Sequence, residues 1–227
     1  MSFLNPFSHD LGGGADPNFS NVVKLCHFDG TNGSTTLVNS CPRGNTPVCN
    51  AGAALSTAQS KFGGASLLLA GGTSSVTCAT HADYAIGTSD FSVEVWARPT
   101  ASSGVVVDFR PAGNGFYPTI YLDTGGVVKF FTNNADRITS AGSAITLNAW
   151  NFIQLVRNGT STKLAVNGSQ VGATYTDSNN YINTAVTIHL GLGGFSTGPM
   201  PGNVDEFRFS VGVGRALNLP FAPFPNS

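Results

Sequence analysis

Two Asn-Gly dipeptides, Asn158-Gly159 and Asn167-Gly168, constrain this chain more than any other feature, because each lies between two β-forming runs. Asn and Gly both accept positive φ, which the two-residue hairpin turns that follow strand twist require. Residues 150–175 are therefore predicted to form three consecutive antiparallel strands, at 150–157, 163–166 and 170–175. The stretch Asp123-Thr124-Gly125-Gly126 joins residues 119–122 to residues 127–132 by the same chemistry. Residues 91–98 alternate, with Phe91, Val93, Val95 and Ala97 on one face and Ser92, Glu94, Trp96 and Arg98 on the other. That run ends at Pro99, which has no N–H for a ladder.

Further runs at 66–69, 75–78, 105–109, 186–192 and 204–210 bring the total to about a dozen strands with no long helix. The fold class predicted is all-β, a two-sheet antiparallel sandwich. Residues 151–156 carry apolar side chains on both faces, which suits an interior strand of a layered sandwich better than a wall of a wet barrel. No Pro-, Ser- or charge-rich linker interrupts residues 21–211, so they read as one domain.

Both ends of the chain differ from this body. Residues 1–20 space Phe3, Phe7 and Phe19 among Pro6, Gly12, Gly13, Gly14 and Pro17 with no period, which makes them an extended arm. Ordering such an arm costs roughly 1–2 kcal/mol per residue, more than three buried Phe rings return. The expectation is a docking arm anchored on another subunit by Phe3, Phe7 and Phe19, whose removal leaves the melting temperature nearly unchanged; folding back on its own domain is the alternative. Residues 212–227 hold Pro220, Pro223 and Pro225 with Phe221 and Phe224, an extended strap laid on apolar surface or a second docking segment.

Only 10% of residues are charged and the formal net charge is −1, so the chain offers no basic stripe for nucleic acid or an anionic membrane. The opening residues lack the cationic and apolar regions of a signal peptide, giving the expectation of cytoplasmic synthesis. Cys26, Cys41, Cys49 and Cys78 contain no C-x-x-C pair; a Cys41–Cys49 disulfide and free buried thiols are both open.

Hydrolytic chemistry finds little support. Glu94 and Glu206 are the only glutamates, and no acid lies two residues from Glu94. Glycoside hydrolysis normally needs two carboxyl groups flanking one bond, and these two are expected instead to pair with arginines such as Arg98, Arg157 or Arg208. The stretch 194–198 matches G-x-S-x-G but runs into Pro199-Met200-Pro201 rather than a helix, so it reads as a glycine-rich loop. Sugar binding uses aromatic faces and amides at loop tips, a composition found at residues 114–117 and 177–181. The candidates are Phe116, Tyr117, Asn180 and Tyr181, with rim packing as the plainer reading of the rings.

Three stretches occur in a telling order: Phe91-Ser-Val-Glu-Val-Trp-Ala-Arg-Pro99, then the Trp150–Gly168 hairpins, then Gly202-Asn-Val-Asp-Glu-Phe-Arg-Phe209. Together they resemble the laminin G-like, concanavalin A-like lectin/glucanase superfamily. Leu25-Cys-His-Phe-Asp-Gly-Thr-Asn-Gly33, Lys61-Phe-Gly-Gly64 and Gly214-Arg-Ala-Leu217 are similar to the version carried by tailed-bacteriophage virion proteins. The resemblance implies a jelly-roll sandwich, and a fold that hosts lectins, glycosidases and structural modules alike. It also implies a rim calcium site as an option, for which Asp29 and Asp205 supply hard oxygens; no other cofactor is expected. The expectation is a non-enzymatic virion protein, a capsid decoration or tail-fibre module whose partners are copies of itself and capsid or tail proteins. The alternative is a carbohydrate-binding module for host-surface glycans.

Overall fold

The structure, a computed structural model, describes residues 14–111, 115–181, 187–191 and 198–227. Phe3, Phe7 and most of the predicted arm, Asn114, both ends of the strand predicted at 186–192, and Ser196 lie outside these residues. The first strands in chain order are β1 (Val22–Cys26), β2 (Val48–Asn50), β3 (Ala54–Ser56), β4 (Ser66–Leu69) and β5 (Ser75–Cys78). The middle of the chain supplies β6 (Phe91–Pro99), β7 (Gly104–Asp108), β8 (Thr119–Asp123), β9 (Val127–Thr132) and β10 (Ala135–Thr139). The last five are β11 (Asn151–Asn158), β12 (Ser161–Val166), β13 (Ser169–Thr176), β14 (Ile188–Leu190) and β15 (Gly202–Val211).

These strands form two antiparallel sheets. The first has the order β13-β12-β11-β6-β15-β4-β3, with β1 also paired to β15; the second has the order β10-β9-β8-β7-β14-β5-β2. The predicted meander is present, with Leu155 opposite Leu164 and Leu164 opposite Val171. Val166 pairs with Ser169 around Asn167 (φ 51°) and Gly168 (φ 81°), the two positive values of a type I′ turn. The other hairpin is shifted by one residue. Asn158 pairs with Ser161, so Gly159 and Thr160 make the turn and the positive φ falls on Gly159 alone.

The inner faces bury one core that includes Val93, Val95, Val107, Ile120, Phe130, Leu155, Leu164 and Phe209. A second apolar layer, of Val22, Leu25, Cys41, Trp96, Phe152 and Phe224, covers the outer face of the first sheet, with Phe19, Phe62, Trp150 and Leu219 at its margin. This layer accounts for the apolar residues on both faces of β11. Cys41 lies in it while Cys49 packs on the main core, and all four cysteines are free thiols. The indole N–H of Trp96 is buried without a hydrogen-bond partner among the described residues.

The two ends of the chain hold this layer down. Asp16 accepts from Arg215 Nη2 at 2.7 Å and from Arg208 Nη1 at 3.1 Å, and Arg208 Nε donates to Glu94 Oε2 at 2.6 Å. The backbone N–H of Asp16 donates to the carbonyl of Ser227. Over its described part the arm lies back on its own domain, with Phe19 partly buried against the outer layer. The strap follows the same pattern. Phe224 is buried 4.0 Å beneath the Arg208 guanidinium, and its N–H donates to Glu206 Oε2 at 2.8 Å. His27 closes the strap, with Nδ1 2.8 Å from Glu206 Oε1 and Nε2 2.8 Å from Asn226 Oδ1.

Candidate functional site

The outer face of the second sheet, unlike that of the first, carries a polar and aromatic surface. On β8 and β9 the alternation sends Ile120, Leu122, Val128 and Phe130 into the core. Thr119, Tyr121, Lys129 and Phe131 therefore face outward. Register extends this face across the sheet. Val48 lies opposite Thr77, Thr77 opposite His189, His189 opposite Asp108, Asp108 opposite Thr119, Thr119 opposite Phe131 and Phe131 opposite Asp136. Directly opposed residues share a face, so these seven side chains form one row over seven strands.

At the β8–β10 end of the row lies a cleft of about 360 Å³, lined by Arg110, Thr119, Tyr121, Phe131, Asn134, Ala135 and Asp136. Its floor is rigid. Asp108, fully buried, accepts from Arg110 Nε at 2.9 Å, from Arg110 Nη2 at 2.8 Å, from the Arg110 backbone N–H at 2.9 Å and from Thr119 Oγ1 at 2.8 Å. The fork holds the Arg110 guanidinium 5.2 Å from the centre of the Phe131 ring. Tyr121 donates its hydroxyl to Asp136 at 2.6 Å, and burial together with this bond pushes the phenol pKa up to about 12. Lys129 bridges Asp123 at 2.8 Å and Asp136 at 3.2 Å. Its bond to Asp123 is the main reason its pKa lies above the usual lysine value, and the same bond lowers that of Asp123.

The wall of the cleft is a hairpin that sequence reading passed over. Thr132 pairs with Ala135 around Asn133 and Asn134, whose φ values of 49° and 57° again make a type I′ turn. The signal was present, since Asn tolerates the left-handed region better than other non-glycine residues. The strand after it, Ala-Asp-Arg-Ile-Thr, opens on residues of low β-propensity and so escaped notice.

The residues proposed from sequence lie elsewhere or serve this wall indirectly. Tyr181 is fully buried and Tyr117 nearly so, in contact with each other and with Phe116, so the rim-packing reading replaces sugar stacking for these rings. The Tyr181 hydroxyl donates to Asp177, and its ring packs 5.1 Å from the guanidinium of Arg157, itself buried. Asn180 is exposed, one residue from the buried ring. The carbonyls of Gly115 and Phe116 accept from the backbone N–H groups of Asn134 and Asn133. The described part of this segment thus buttresses the Asn-Asn turn.

Asp29 and Asp205, the calcium candidates, sit in different settings. Asp205 is fully buried and surrounded by donors: Oδ2 accepts from the N–H groups of Lys61 and Phe62 and Oδ1 from that of Glu206, which leaves its oxygens turned to protons. Asp29 lies against Gly63, whose positive φ of 62° and missing Cβ make room for the carboxylate. Among the described residues no three His, Cys, Asp or Glu side chains are grouped to hold a metal. Of the arginines offered for Glu94, Arg208 is the partner; Glu206 instead takes His27 and the Phe224 N–H.

Comparison with known proteins fits this architecture. The sequence profile described as the Concanavalin A-like lectin/glucanases superfamily matches residues 70–217, well over half of the chain. No curated protein sequence matches. Among solved structures, domain 4 of AbnA, an extracellular arabinanase from Geobacillus stearothermophilus, in complex with arabinotriose, superposes with a TM-score of 0.63 at 16% identity, covering 86% of this chain and 94% of that one. The binding domain of Paraclostridial Mosquitocidal Protein 1 gives 0.63 at 16% identity over 88% of this chain and 50% of that one. The binding domain of botulinum neurotoxin DC, in complex with SialylT, gives 0.60 at 14% identity over 85% and 48%. This chain thus spans about half the length of the toxin binding domains and nearly all of the arabinanase domain. At these identities the likeness is one of fold, a lectin-like sandwich.

Proposed function

The chain belongs to the concanavalin A-like lectin/glucanases superfamily, and we propose that it is a non-enzymatic carbohydrate-binding module whose ligand lies in the cleft between Tyr121 and Phe131. The observation that carries this reading is the composition of that cleft. Two half-buried aromatic rings stand beside the exposed Asn134 and Asp136 on a floor fixed by Asp108. A pyranose or furanose has apolar C–H patches and hydroxyl edges, which such a mixture of rings, amide and carboxylate complements. Arabinotriose in the arabinanase domain and SialylT in the toxin domain are ligands of the same fold, which supports sugar recognition by this chain. The absence of turnover is supported by the two glutamates. Each is 1% exposed and already engaged, Glu94 with Arg208 and Glu206 with His27 and Phe224, so neither is poised over a substrate bond.

The setting proposed is the surface of a tailed-phage particle, as a capsid decoration or tail-fibre module partnered by copies of itself and by a capsid or tail protein. Its support is the resemblance of residues 25–33, 61–64 and 214–217 to phage virion proteins. The test is an oligosaccharide array probed with the purified chain, followed by incubation of any captured sugar with the protein. Retention of sugars without release of new reducing ends is the expected result. Release of reducing ends that stops in Glu94→Gln contradicts the non-enzymatic reading, and an array silent for every sugar contradicts recognition. Stoichiometric presence on purified particles is the expected result for the setting, and absence from particles contradicts it.

A further inference from the structure

We infer that the cleft is built for uncharged glycans and discriminates against sugars that carry a carboxylate. This inference rests on the carbohydrate-binding reading and deepens it. Recognition of an acidic sugar normally uses a cation with hydrogen bonds to spare, most often a guanidinium in bidentate contact. Here each cation already holds carboxylate oxygens of this chain. Arg110 is forked onto Asp108 through Nε and Nη2, and Lys129 is shared between Asp123 and Asp136. Arg137, on β10, is not part of the cleft lining; it donates to the carbonyls of Thr132 and Asn133 and packs 5.4 Å from Tyr175.

The charged groups of the lining itself are Arg110, matched by Asp108 outside the lining, and the exposed Asp136, which shares Lys129 with Asp123, both also outside it. Arg110 is buried and Asp136 is exposed, so an incoming carboxylate meets the acid of the lining and not its cation. A neutral sugar meets no such penalty. Its hydroxyls can donate to Asp136 and the Asn134 carbonyl and accept from the Asn134 amide. A cleft of about 360 Å³ lies at the small end of ligand sites, which suits one or two rings.

The experiment pairs each neutral oligosaccharide, arabinotriose among them, with a counterpart bearing one uronic or sialic acid, and measures both by titration calorimetry on the whole chain. The neutral member is expected to bind, and the acidic member to bind roughly tenfold more weakly or worse. In Asp123→Asn/Asp136→Asn the gap should narrow or reverse, because Lys129 is released and the exposed acid is gone. Acidic members that bind wild type as well as or better than neutral ones overturn this inference and leave glycan binding standing. Should no member of any pair bind, the carbohydrate reading falls and takes this inference with it.

Discussion

Asp108 and Arg110 lie two residues apart at the end of β7 and face each other as a fork, Nε to Oδ1 at 2.9 Å and Nη2 to Oδ2 at 2.8 Å. Such a contact is possible because the chain stays extended past the strand, with Phe109 turned into the core and its two neighbours sharing the other face, and the Arg110 backbone N–H donates to the same carboxylate. Both side chains are buried, so removing one partner strands the charge of the other. Asp108→Ala should cost about 3–5 kcal/mol in the denaturant midpoint, with Thr119→Val, which loses one of the bonds to Asp108, costing only about 1 kcal/mol. Equal costs for the two variants would show that the fork contributes nothing beyond an ordinary hydrogen bond.

The N-terminal segment is expected to stabilise the sandwich it covers. Sequence reasoning took residues 1–20 as dispensable for folding, yet Asp16 ties Arg208 and Arg215 together and Phe19 caps the outer apolar layer. Asp16→Ala leaves both arginines with Glu94 as a carboxylate partner among the described residues, and should lower Tm by several degrees, corresponding to about 1–3 kcal/mol. Deletion of residues 1–20 should lower it further through loss of Phe19. An unchanged Tm in calorimetry for both proteins contradicts this account.

Trp96 offers a test of an unmade hydrogen bond. Its N–H is buried with no acceptor among the described residues, while the ring packs 5.2 Å from Phe152 and lies beneath the Lys61 ammonium at 4.0 Å. Trp96→Phe removes the stranded donor along with some packing, and the two effects oppose each other. The expected loss is under about 2 kcal/mol, against about 3–5 kcal/mol for Phe152→Ala. Chemical denaturation of both variants checks the order.

Acid should stabilise this protein over a range where many lose stability. Burial alone would lower the pKa of His27, but the hydrogen bond and charge of Glu206, with help from Asn226 and Asp29, raise it above 6.5. Its contribution is therefore complete below about 6.5 and disappears as pH rises through the higher folded value. Asp205 acts in the same direction for a different reason. Burial, outweighing the donors of Lys61 and Phe62, lifts its pKa from 3.8 to about 7, so the folded state keeps a proton that the unfolded chain has released. Stability thus falls as pH rises from 3.8 toward about 7 and falls again as His27 deprotonates. Tm near pH 5 should exceed Tm near pH 8, with Asp205→Asn flattening the lower part of the profile and His27→Gln the upper part. A wild-type profile that rises across this range contradicts both assignments.

Local chemistry made part of this architecture legible in the sequence. The β11–β13 meander follows from turn residues and alternation within one short segment, and Phe91–Pro99 from its own pattern. The cleft was not legible because its third strand, Ala135–Thr139, opens on residues of low β-propensity, while the rest of the row from Val48 to Asp136 depends on strand order, a non-local property. In the sequence Tyr121 and Phe131 are only members of the two strands of a hairpin. Tyr117 and Tyr181 misled for the converse reason. Each sits in a polar, turn-rich stretch typical of an exposed loop tip, yet the two rings pack on each other and Tyr181 is buried beside Arg157 and Asp177. Composition describes neighbours in the chain, and burial depends on neighbours in space.

The central claim is that the Tyr121–Phe131 cleft is the ligand face, and amide chemical-shift mapping during titration with a neutral oligosaccharide tests it most directly. The account predicts shifts concentrated on Thr119, Tyr121, Phe131, Asn134 and Asp136, with affinity falling roughly tenfold or more in Tyr121→Ala and in Phe131→Ala while both variants stay folded. Shifts clustered away from these residues, or an unchanged Kd in both alanine variants, would contradict it.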